Sequence, residues 1–404
     1  MFPIKHGVIY RTPEHHQPPD DNSLAGNTNY PNLNSRDYAK RPLNRHIRMH
    51  QAWECLSLNT EHQAVIATNK LSGREWAGSI WGFENIGDGT MIKPAKACYK
   101  LQCQTLISCL QFVANNIFLV AMRSGRVQVW STRSEVRNPQ TPYCMFLIGE
   151  KCEHMRPITC MSLATNIDHA VTGSKDGTLK LMDKLFILFF SRRVVLQTDR
   201  RYDFSKICKN VTGTISTILL FRKVWDMGCA DLFSIHTFRY AHTDVVSDVA
   251  TSNKDASVFA TCSLDYSALL WDIRQTRPAI ALCDNYPARF KSLSWPCENQ
   301  ATNENFIYLA DECGFVHSID TRVPRHFVQS NKCLNRPVHK ITPTNNKLAI
   351  IGDTNMVKVI DANDFATIYT NVDSEHFVRD AVWRDDLELL TVGYEGKLRI
   401  HKLH

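Results

Sequence analysis

One two-strand pattern recurs along this chain at a nearly constant spacing, and it limits the possible folds more than any other feature. Its clearest copy is Ser257–Arg274, which reads as two strands of alternating apolar residues around a short polar turn. Asp265 marks the turn, because short polar side chains bond the local backbone. Trp271 follows six residues later in the second strand, and this offset can be searched for elsewhere.

The search finds seven such hairpins, each with an anchor residue at the position of Trp271. The anchors are Trp81, Trp130, Met182, Trp271, Ile319, Ile360 and His401. Consecutive anchors lie 49, 52, 89, 48, 41 and 41 residues apart, and a period of ~40–50 residues is typical of a four-stranded propeller blade. A closed ring of blades leaves only short protected edges. We therefore predict an all-β fold, a seven-bladed WD-repeat β-propeller. An open sandwich with chance repeats is disfavoured, because the tryptophan, the acidic turn residue and the repeat period all indicate propeller blades.

The composition excludes several classes of protein. Residues Met1 to His6 lack the apolar run of a secretion signal, and no stretch approaches the ~18 apolar residues of a membrane-spanning helix. Several of the 14 cysteines, such as Cys160 and Cys262, lie inside strand patterns, where cysteine acts as a small buried hydrophobe. No Cys-x-x-Cys pair or zinc-type spacing occurs. We expect free thiols in a reducing intracellular compartment, with no metal site and no bound cofactor.

The net charge of +7 raises the question of nucleic-acid binding, but its distribution argues against it. Leu181–Lys223 contains nine Lys or Arg and three Asp or Glu, a net charge of +6, which leaves +1 for the rest of the chain. A polynucleotide-binding protein gathers its positive charge on a folded surface. We predict no direct contact with nucleic acid. The sequence also shows no phosphate loop or nucleophile constellation, so we predict no catalytic site.

The segment Leu181–Lys223 also breaks the repeat. Its removal places Trp225 six residues after Asp176 and shortens the 89-residue step to 46. Its apolar stretches, such as Phe186–Phe190, have no alternating face to share with a sheet. We interpret the segment as foreign to the domain, from a retained intron or an alternative transcript. An extra blade and a genuine loop insertion are the alternatives.

The beginning of the chain is polar and rich in Pro, Asn, His and Asp, so it cannot bury enough apolar area to offset chain entropy. The predicted division is a flexible tail at 1–44 and a propeller at 45–404, interrupted by 181–223. His15 and His16 have no third ligand nearby, which favours an ordinary tail over a metal site. Either Ile4–Tyr10 or Arg45–His50 could close the ring by completing the last blade, and the sequence does not decide between them.

Two blades contain a histidine that can bond to the turn acid. Each buried polar group needs a partner, and His, Asp and Trp supply them to one another in many such blades. The predicted structural ties are His154, Asp176 and Trp225 in the third blade, and His242, Asp265 and Trp271 in the fourth. A catalytic role for these pairs is disfavoured, because they recur once per blade and no nucleophile accompanies them.

The first hairpin, Ala67–Phe83, contains a residue that the repeat does not require. Trp81 occupies the anchor position, and Trp76 stands five residues earlier, near the turn. Its neighbours Arg74 and Glu75 are charged, so we expect Trp76 to project where water reaches. An exposed tryptophan beside an arginine is typical of a binding hot spot. The alternative is a tryptophan folded back over the blade edge.

Three stretches of this sequence resemble one family. Leu71–Trp81 closely resembles the first blade of methylosome protein 50, the WD-repeat adaptor of the type II arginine methyltransferase that makes symmetric dimethylarginine. Phe377–Trp383 is a second match, and Lys254–Phe259 running into Leu269–Asp272 is a third. The resemblance covers residues 45–404 apart from the insertion, and its first motif is the specific one.

The resemblance implies a seven-bladed propeller without catalysis, whose first-blade loop inserts its tryptophan into a groove of the methyltransferase. Carried over, that tryptophan is Trp76 and the neighbouring contact is Arg74. Glu75 stands where vertebrate members have cysteine, which alters the polarity of the contact without removing the anchor. Phe377 next to Arg379 is a second candidate anchor on the surface, or else Phe377 is a covered strand residue.

The resemblance also implies substrates and a location. The adaptor would present Sm proteins and histones, whose tails are rich in arginine, and insect members are linked to Tudor-domain partners in germ plasm. A cytoplasmic location follows, with the nucleus as an open second one. The alternative function comes from Trp271-Asp272-Ile273-Arg274, which fits the short Trp-Asp-x-Arg box of substrate receptors for cullin ubiquitin ligases. The substrate set, the stoichiometry and the substrate-holding loops do not follow from the sequence.

Overall fold

The computed structural model describes residues 52–72, 75–84, 86–87, 91–134, 143–164, 169–183, 234–239, 241–275, 277–296 and 305–403. The chain divides after Arg48 into two units, and all the described residues belong to the second, Met49–His404. The predicted tail at 1–44 and both candidates for the closing strand, Ile4–Tyr10 and Arg45–His50, lie outside the described residues.

In the described residues, 28 strands form seven antiparallel four-stranded sheets, each of which is one blade. Blade one consists of β1 (Ala52–Leu58), β2 (Ala64–Ser72), β3 (Glu75–Phe83) and β5 (Tyr99–Cys103). Blade two consists of β6 (Ile107–Ala114), β7 (Ile117–Met122), β8 (Arg126–Ser134) and β9 (Tyr143–Cys152). Blade three consists of β10 (Ile158–Leu163), β11 (His169–Ser174), β12 (Leu179–Asp183) and β13 (Ser234–Phe238). Blade four consists of β14 (Val246–Thr251), β15 (Val258–Ser263), β16 (Ala268–Asp272) and β17 (Ile280–Cys283).

The remaining three blades follow the same plan. Blade five consists of β18 (Phe290–Ser294), β19 (Phe306–Asp311), β20 (Phe315–Asp320) and β21 (Phe327–Lys332). Blade six consists of β22 (Val338–Thr344), β23 (Lys347–Gly352), β24 (Val357–Asp361) and β25 (Thr367–Asn371). Blade seven consists of β26 (Val378–Trp383), β27 (Glu388–Gly393), β28 (Leu398–Lys402) and β4 (Met91–Ile92). One 3-10 turn, Pro94–Lys96, lies between β4 and β5.

The blades close into a ring. The innermost strands pack against one another in blade order, and β26 of blade seven packs against β1 of blade one. The prediction of a seven-bladed β-propeller is therefore confirmed. Strand β10 of blade three packs directly against β14 of blade four, which leaves no place between them for another sheet. The extra-blade interpretation of the insertion is therefore wrong.

Strand order gives the propeller two distinct faces. The chain runs through each blade from the innermost strand outward. The turns between second and third strands therefore lie on the same face as the loops that lead to the next blade, and we call this the turn face. The other two sets of connections lie on the opposite face, which we call the back face.

The anchor residues occupy one register position in every blade. Trp130 pairs with Phe118, Met182 with Ala170 and Trp271 with Phe259, and the anchors of blades five, six and seven pair in the same way. In blade one, Trp81 pairs with Ile66 across a hairpin that is longer by three residues. All seven predicted anchors are thus confirmed as equivalent positions.

The turn before each anchor explains a repeated glycine. Gly125, Gly177, Gly314 and Gly396 all stand five residues before their anchors with positive φ angles. A Cβ atom at Gly125 would lie 2.0 Å from the carbonyl oxygen of His154, so a side chain has no room there. In blade four the same position is Tyr266, with a φ of 68°.

The outer strand of the last blade comes from a place that the sequence analysis did not identify. Strand β4 pairs with β28 through Ile92 opposite Leu398 and Met91 opposite Arg399. The chain then returns to add β5 to blade one. The ring is therefore closed by a segment inserted between the third and fourth strands of the first blade.

The start of the predicted insertion belongs to blade three. Leu181 and Met182 lie in β12, pair with Val171 and Ala170, and are both 2% exposed. The residues from 184 to 233, which include Trp225, lie outside the described residues. The origin of the rest of the segment stays a prediction.

The buried thiols are part of the packing between blades. Cys55 Sγ donates a hydrogen bond to the Ser108 carbonyl of the next blade at 2.9 Å. Burial raises the pKa of Cys55 and Cys262 well above the ordinary value, which makes these thiols poor nucleophiles. Ten cysteines in the described part of the chain are free.

In the same residues, no helix has the length and apolarity needed to cross a membrane, and no three potential metal ligands converge.

Candidate docking site

The hairpin between β2 and β3 extends beyond its blade. Asn69 pairs with Gly78 at the position where the other blades have their last pair before the turn. Three more pairs follow here, namely Lys70 with Ala77, Leu71 with Trp76, and Ser72 with Glu75. The flanking strands do not follow, because β1 reaches only Asn69 and β5 reaches only Gly78. Residues Lys70–Ala77, which we call the arm, therefore form a two-stranded projection from the turn face.

The base of the arm is fixed to blade two. The Asn69 side chain is 1% exposed; its amide donates to the Ile107 carbonyl at 2.8 Å, and its oxygen accepts from the Ile107 N–H at 2.9 Å. The Gly78 N–H donates to the Thr105 carbonyl at 3.0 Å, and a Cβ on Gly78 would lie 2.7 Å from that oxygen. Sequence analysis missed Asn69 and Gly78, because their roles depend on a neighbouring blade.

The predicted contact residues lie on or next to the arm. The backbone of Trp76 belongs to β3 and pairs with Leu71. Arg74 and the side chain of Trp76 are outside the described residues. The arm thus gives Trp76 a place beyond the four-stranded sheet, while the direction of its indole and the contacts of Arg74 stay predictions.

Blade seven is the neighbour of blade one and presents aromatic side chains on the same face. Phe377, in the loop before β26, is 47% exposed, and Tyr394, in the turn after β27, is 38% exposed. Their ring centroids are 6.4 Å apart. Phe377 is therefore an exposed residue and not a covered strand residue. Its role as a second anchor for a partner stays a prediction.

Arg379 is held by internal contacts. Its Nε donates to Glu54 Oε2 at 3.2 Å and its Nη1 donates to Asp353 Oδ1 at 3.2 Å, while its guanidinium lies 5.4 Å from the Tyr394 ring centroid. Burial opposes its charge, but Glu54 and Asp353 outweigh that effect and raise the pKa of Arg379. These contacts join blade seven to blades one and six. The predicted contact between Arg379 and a partner is untested.

The tie in blade four is complete and contains one more residue than predicted. His242 Nδ1 lies 3.0 Å from Asp265 Oδ2, and His242 Nε2 lies 2.8 Å from Thr261 Oγ1. The Trp271 indole N–H donates to the same Thr261 oxygen at 2.8 Å. Since Asp265 can only accept when ionised, the histidine proton is on Nδ1 and the Thr261 hydroxyl donates to Nε2. The four side chains form one hydrogen-bonded chain.

The charge of Asp265 is stabilised inside this chain. Burial alone would raise its pKa, but the hydrogen bonds from His242 and Ser267 dominate and lower the pKa of Asp265 far below its ordinary value. The carboxylate also accepts the Thr243 N–H at 2.9 Å. With all its partners internal, the tie fixes the turn to the strand and presents no group for catalysis on a substrate.

Blade three has an incomplete version of the tie. His154 Nδ1 is 4.0 Å from Asp176, and Thr178 bridges them, with its hydroxyl 2.5 Å from Asp176 Oδ1 and 3.0 Å from His154 Nδ1. His154 Nε2 lies 2.9 Å from Thr172 Oγ1. At the anchor, the side chain of Met182 has no N–H to donate to Thr172. The predicted partner Trp225 is outside the described residues.

Threonine ten residues before the anchor is the member of the tie that sequence analysis missed. It occurs as Thr172, Thr261 and Thr391 in blades three, four and seven. In blade seven the anchor itself is His401, whose Nε2 lies 2.8 Å from Thr391 Oγ1 and whose Nδ1 lies 3.2 Å from the Tyr369 hydroxyl. The constant offset was present in the sequence, but it is informative only once the direction of each strand face is known.

The Trp-Asp-x-Arg box forms a local turn on the back face. Arg274 binds Asp272 through Nε at 2.8 Å and Nη2 at 2.6 Å, and the Arg274 side chain is 67% exposed. Arg322 binds Asp320 in the same way in blade five, without the tryptophan. The geometry is therefore a recurring turn of this propeller. This turn geometry adds no support for the alternative function, a substrate receptor of a cullin ubiquitin ligase.

Comparisons with known proteins agree with this architecture. The model of the family described as WD domain, G-beta repeat, matches residues 147–183 and 233–272. Across 414 aligned positions, the chain is 31% identical to protein valois of Drosophila melanogaster, with 100% of both chains covered. It is 24% identical over 351 residues to methylosome protein WDR77 of Xenopus laevis, with 84% of this chain and 86% of the relative covered. The chain belongs to the methylosome protein 50 family.

This membership confirms the family that the blade-one motif predicted. A third relative, glutamate-rich WD repeat-containing protein 1 of Dictyostelium discoideum, is 44% identical over only 41 residues, or 10% of this chain and 8% of the relative. The likeness to protein valois and to methylosome protein WDR77, in contrast, covers 100% and 84% of this chain. The roles of Arg74, Trp76, Phe377 and Arg379 are not tested by these comparisons.

Proposed function

We propose that this chain is a non-catalytic adaptor of the methylosome, which binds and stabilises a type II protein arginine methyltransferase. Similarity to protein valois over the full length and to methylosome protein WDR77 supports the proposal. The observation that carries it is the arm. Compared with the other blades' hairpins between second and third strands, as far as the structure describes them, the hairpin of blade one has three extra residue pairs. These pairs overlap the specific motif Leu71–Trp81.

The arm suits a docking role because its base is rigid and its end is free of the sheet. Trp76 supplies apolar contact area in this proposal, and Arg74 supplies a polar contact. The bonds of Asn69 and the close approach at Gly78 hold the base in place, which lowers the ordering cost of binding. Phe377, on the same face of the neighbouring blade, provides a second apolar contact.

The adaptor would bring arginine-rich substrates to the enzyme. By family resemblance, these are Sm proteins and histones, with Tudor-domain proteins of germ plasm as further partners. The protein would act in the cytoplasm, with the nucleus as an open second location. No cofactor or metal is part of this role.

The test is recovery of the methyltransferase from native extract on immobilised full-length chain. We expect Trp76→Ala to reduce recovery at least tenfold, because truncation of a central aromatic anchor commonly costs about 2 kcal/mol or more. Tyr266→Ala is the matched control, since Tyr266 is also an aromatic residue in a turn on the turn face and is 37% exposed. The control should recover as much enzyme as the native chain.

Two outcomes would contradict parts of the proposal. Undiminished recovery with Trp76→Ala would remove Trp76 as the anchor, and no recovery with the native chain would remove the methyltransferase as the partner. Thermal unfolding of Trp76→Ala should match the native chain, because the arm lies outside the four-stranded sheet of blade one.

A further inference from the structure

The innermost strand of every blade has the same irregularity near its first residue. A register shift there leaves one residue without a partner on the second strand. The innermost strands surround the central channel of a propeller, and they begin at the turn face. The unpaired residues therefore lie near the mouth of the channel on that face. These seven residues, which we call the bulge ring, are Glu54, Ser108, Thr159, Ser247, Lys291, His339 and Arg379.

The bulge ring has its basic side chains on one side. Lys291, His339 and Arg379 belong to three consecutive blades, five, six and seven, and we call them the basic arc. The bulge residues of blades two, three and four carry hydroxyl groups instead. Those of Thr159 and Ser247 donate to backbone carbonyls of the next blade, so they belong to the packing between blades.

The acidic side chains beside the basic arc already have cationic partners. Glu54 and Asp353 both accept hydrogen bonds from Arg379, each at 3.2 Å. Asp380 accepts a hydrogen bond from Lys340, which is the next residue after the bulge in blade six. The charges of Arg379 and Lys340 are therefore balanced within the protein.

Lys291 and His339 are different, because neither makes a hydrogen bond or an ion pair in the described part of the chain. Both are partly buried. Arg379 bonds to its acids through Nε and Nη1, and its Nη2 has no partner among the described residues. Partly buried donors normally have acceptors. Here three neighbouring blades each contribute a donor that the protein does not use.

The charges around His339 make its surroundings electropositive. Burial and the charges of Arg379, Lys340 and Lys291 lower the pKa of His339 to about 3. None of the described acids opposes this shift, because those nearby are bonded to Arg379 and Lys340. A positive potential beside unused donors favours a negatively charged ligand.

We propose that the basic arc binds an oxyanion, a carboxylate or a phosphate group, at the mouth of the channel on the turn face. Lys291 supplies a charge-assisted hydrogen bond, since it has no acidic partner to give up. His339 takes up a proton when the anion binds, and the protonated ring donates a second bond. Arg379 keeps its two acids and adds the unused Nη2. The net attraction therefore comes from Lys291 and from the proton on His339.

Titration of the purified full-length chain with two anions tests the proposal. Sulfate is the probe for a phosphate group, because it keeps two negative charges from pH 6 to pH 7, and acetate is the probe for a carboxylate. NMR follows the histidine ring signals and the backbone amide signals of β22, with chloride holding the ionic strength constant. We expect these signals to shift and to saturate. The anion that saturates at the lower concentration indicates the class of ligand.

Lys291→Gln removes the unbalanced charge and should weaken binding about tenfold, as loss of a hydrogen bond to a charged group commonly does. The matched control is Lys332→Gln, because Lys332 is an exposed lysine on the outer strand β21 of the same blade. This control should bind the anions as the native chain does. Trp76→Ala should also bind them normally, since the site does not include the arm.

Proton uptake by His339 gives a second readout that a purely structural role would not produce. The unoccupied ring is neutral at pH 7, so sulfate binding that takes up one proton becomes up to about tenfold tighter from pH 7 to pH 6. His339→Gln cannot take up the proton, and its sulfate affinity should not change over this interval. Its spectrum also identifies the His339 ring signals by their loss.

Three results would overturn the proposal. The first is that neither sulfate nor acetate moves the signals of the native chain, and the second is that Lys291→Gln binds as tightly as the native chain. The third is a native sulfate affinity that does not change with pH, which would remove His339 from the site. None of these results bears on recovery of the methyltransferase, so this proposal and the proposed function can fail separately.

Discussion

Thr261 has a larger structural role than its size suggests. Its hydroxyl accepts from the Trp271 indole and donates to His242, which in turn binds Asp265. All of these groups except Asp265 are almost fully buried, so none can replace a lost bond with one to water. The threonine therefore gives two buried polar groups, the Trp271 indole N–H and His242 Nε2, a hydrogen-bond partner within one connected network.

Replacement of Thr261 by valine keeps the side-chain volume and removes the hydroxyl. We expect Thr261→Val to lower the free energy of unfolding by about 2–3 kcal/mol, because both the Trp271 N–H and His242 Nε2 lose a buried partner. Urea unfolding followed by fluorescence measures the change. Thr172→Val is the matched comparison in blade three and should cost about half as much, since the side chain of Met182 has no N–H to leave unpaired.

Equal costs at the two positions would contradict this assignment. They would mean that the Trp271–Thr261 bond contributes little beyond the histidine contact that both blades share. A control at Thr342, whose hydroxyl donates to the Ala381 carbonyl of the next blade at 3.1 Å, reports the cost of losing one ordinary bond.

At the scale of strands, the sequence predicted what depends on local pattern. The anchors from Trp81 to His401 were found from one offset, because every blade repeats the same two-strand unit and the register follows from it. Strand β4 was missed, since two residues carry no periodicity and their partner β28 lies at the other end of the chain. The arm was recognised by composition, but its clamp at Asn69 depends on blade two. The contacts between blades could not be predicted, because the repeat pattern of one blade does not show which residues of the next blade it touches.

Blade three offers a test of the predicted insertion. In a chain lacking Leu181–Lys223, Trp225 would occupy the place of Met182, and its indole would donate to Thr172 as Trp271 does to Thr261. We expect this shortened chain to fold and to unfold about 2 °C higher than the full chain, as one added buried hydrogen bond would give. Differential scanning calorimetry measures the midpoint.

Trp225→Met in the shortened chain is the matched control, because it restores the present anchor and should remove the gain. Aggregation of the shortened chain, or a lower midpoint, would show that the segment supports blade three. Peptide mass spectrometry of the native protein gives an independent check. Abundant peptides from Arg201–Lys209 would contradict the retained-intron interpretation.

At the scale of the whole molecule, closure of the ring makes blade one depend on blade seven. Strand β4 completes blade seven from within the chain of blade one, and Arg379 bonds to Glu54 across the same boundary. The arm projects beside this junction. Its base is therefore supported from both sides, by blade two through Asn69 and by the closed ring.

Closure also buries histidines, and this makes global stability depend on pH. Burial lowers the pKa of His154 and of His401 to about 4, below the ~6.5 of an exposed histidine. Between these values the unfolded chain binds more protons than the folded chain, so stability falls as pH falls from 6.5 toward 4. Asp265 adds nothing to this trend between pH 7 and pH 5, because its lowered pKa means that its contribution to stability is lost only below about pH 5.

We expect the urea midpoint to be clearly lower at pH 5 than at pH 7, with each histidine contributing up to about 2 kcal/mol at pH 5. His401→Gln removes one titrating group while retaining hydrogen-bond capacity toward Thr391 and Tyr369, so this variant should lose less stability than the native chain over the same interval. Substitution of the exposed His376 by glutamine is the matched control and should leave the slope unchanged. A flat native profile from pH 7 to pH 5 would mean that the two rings are protonated in the folded protein.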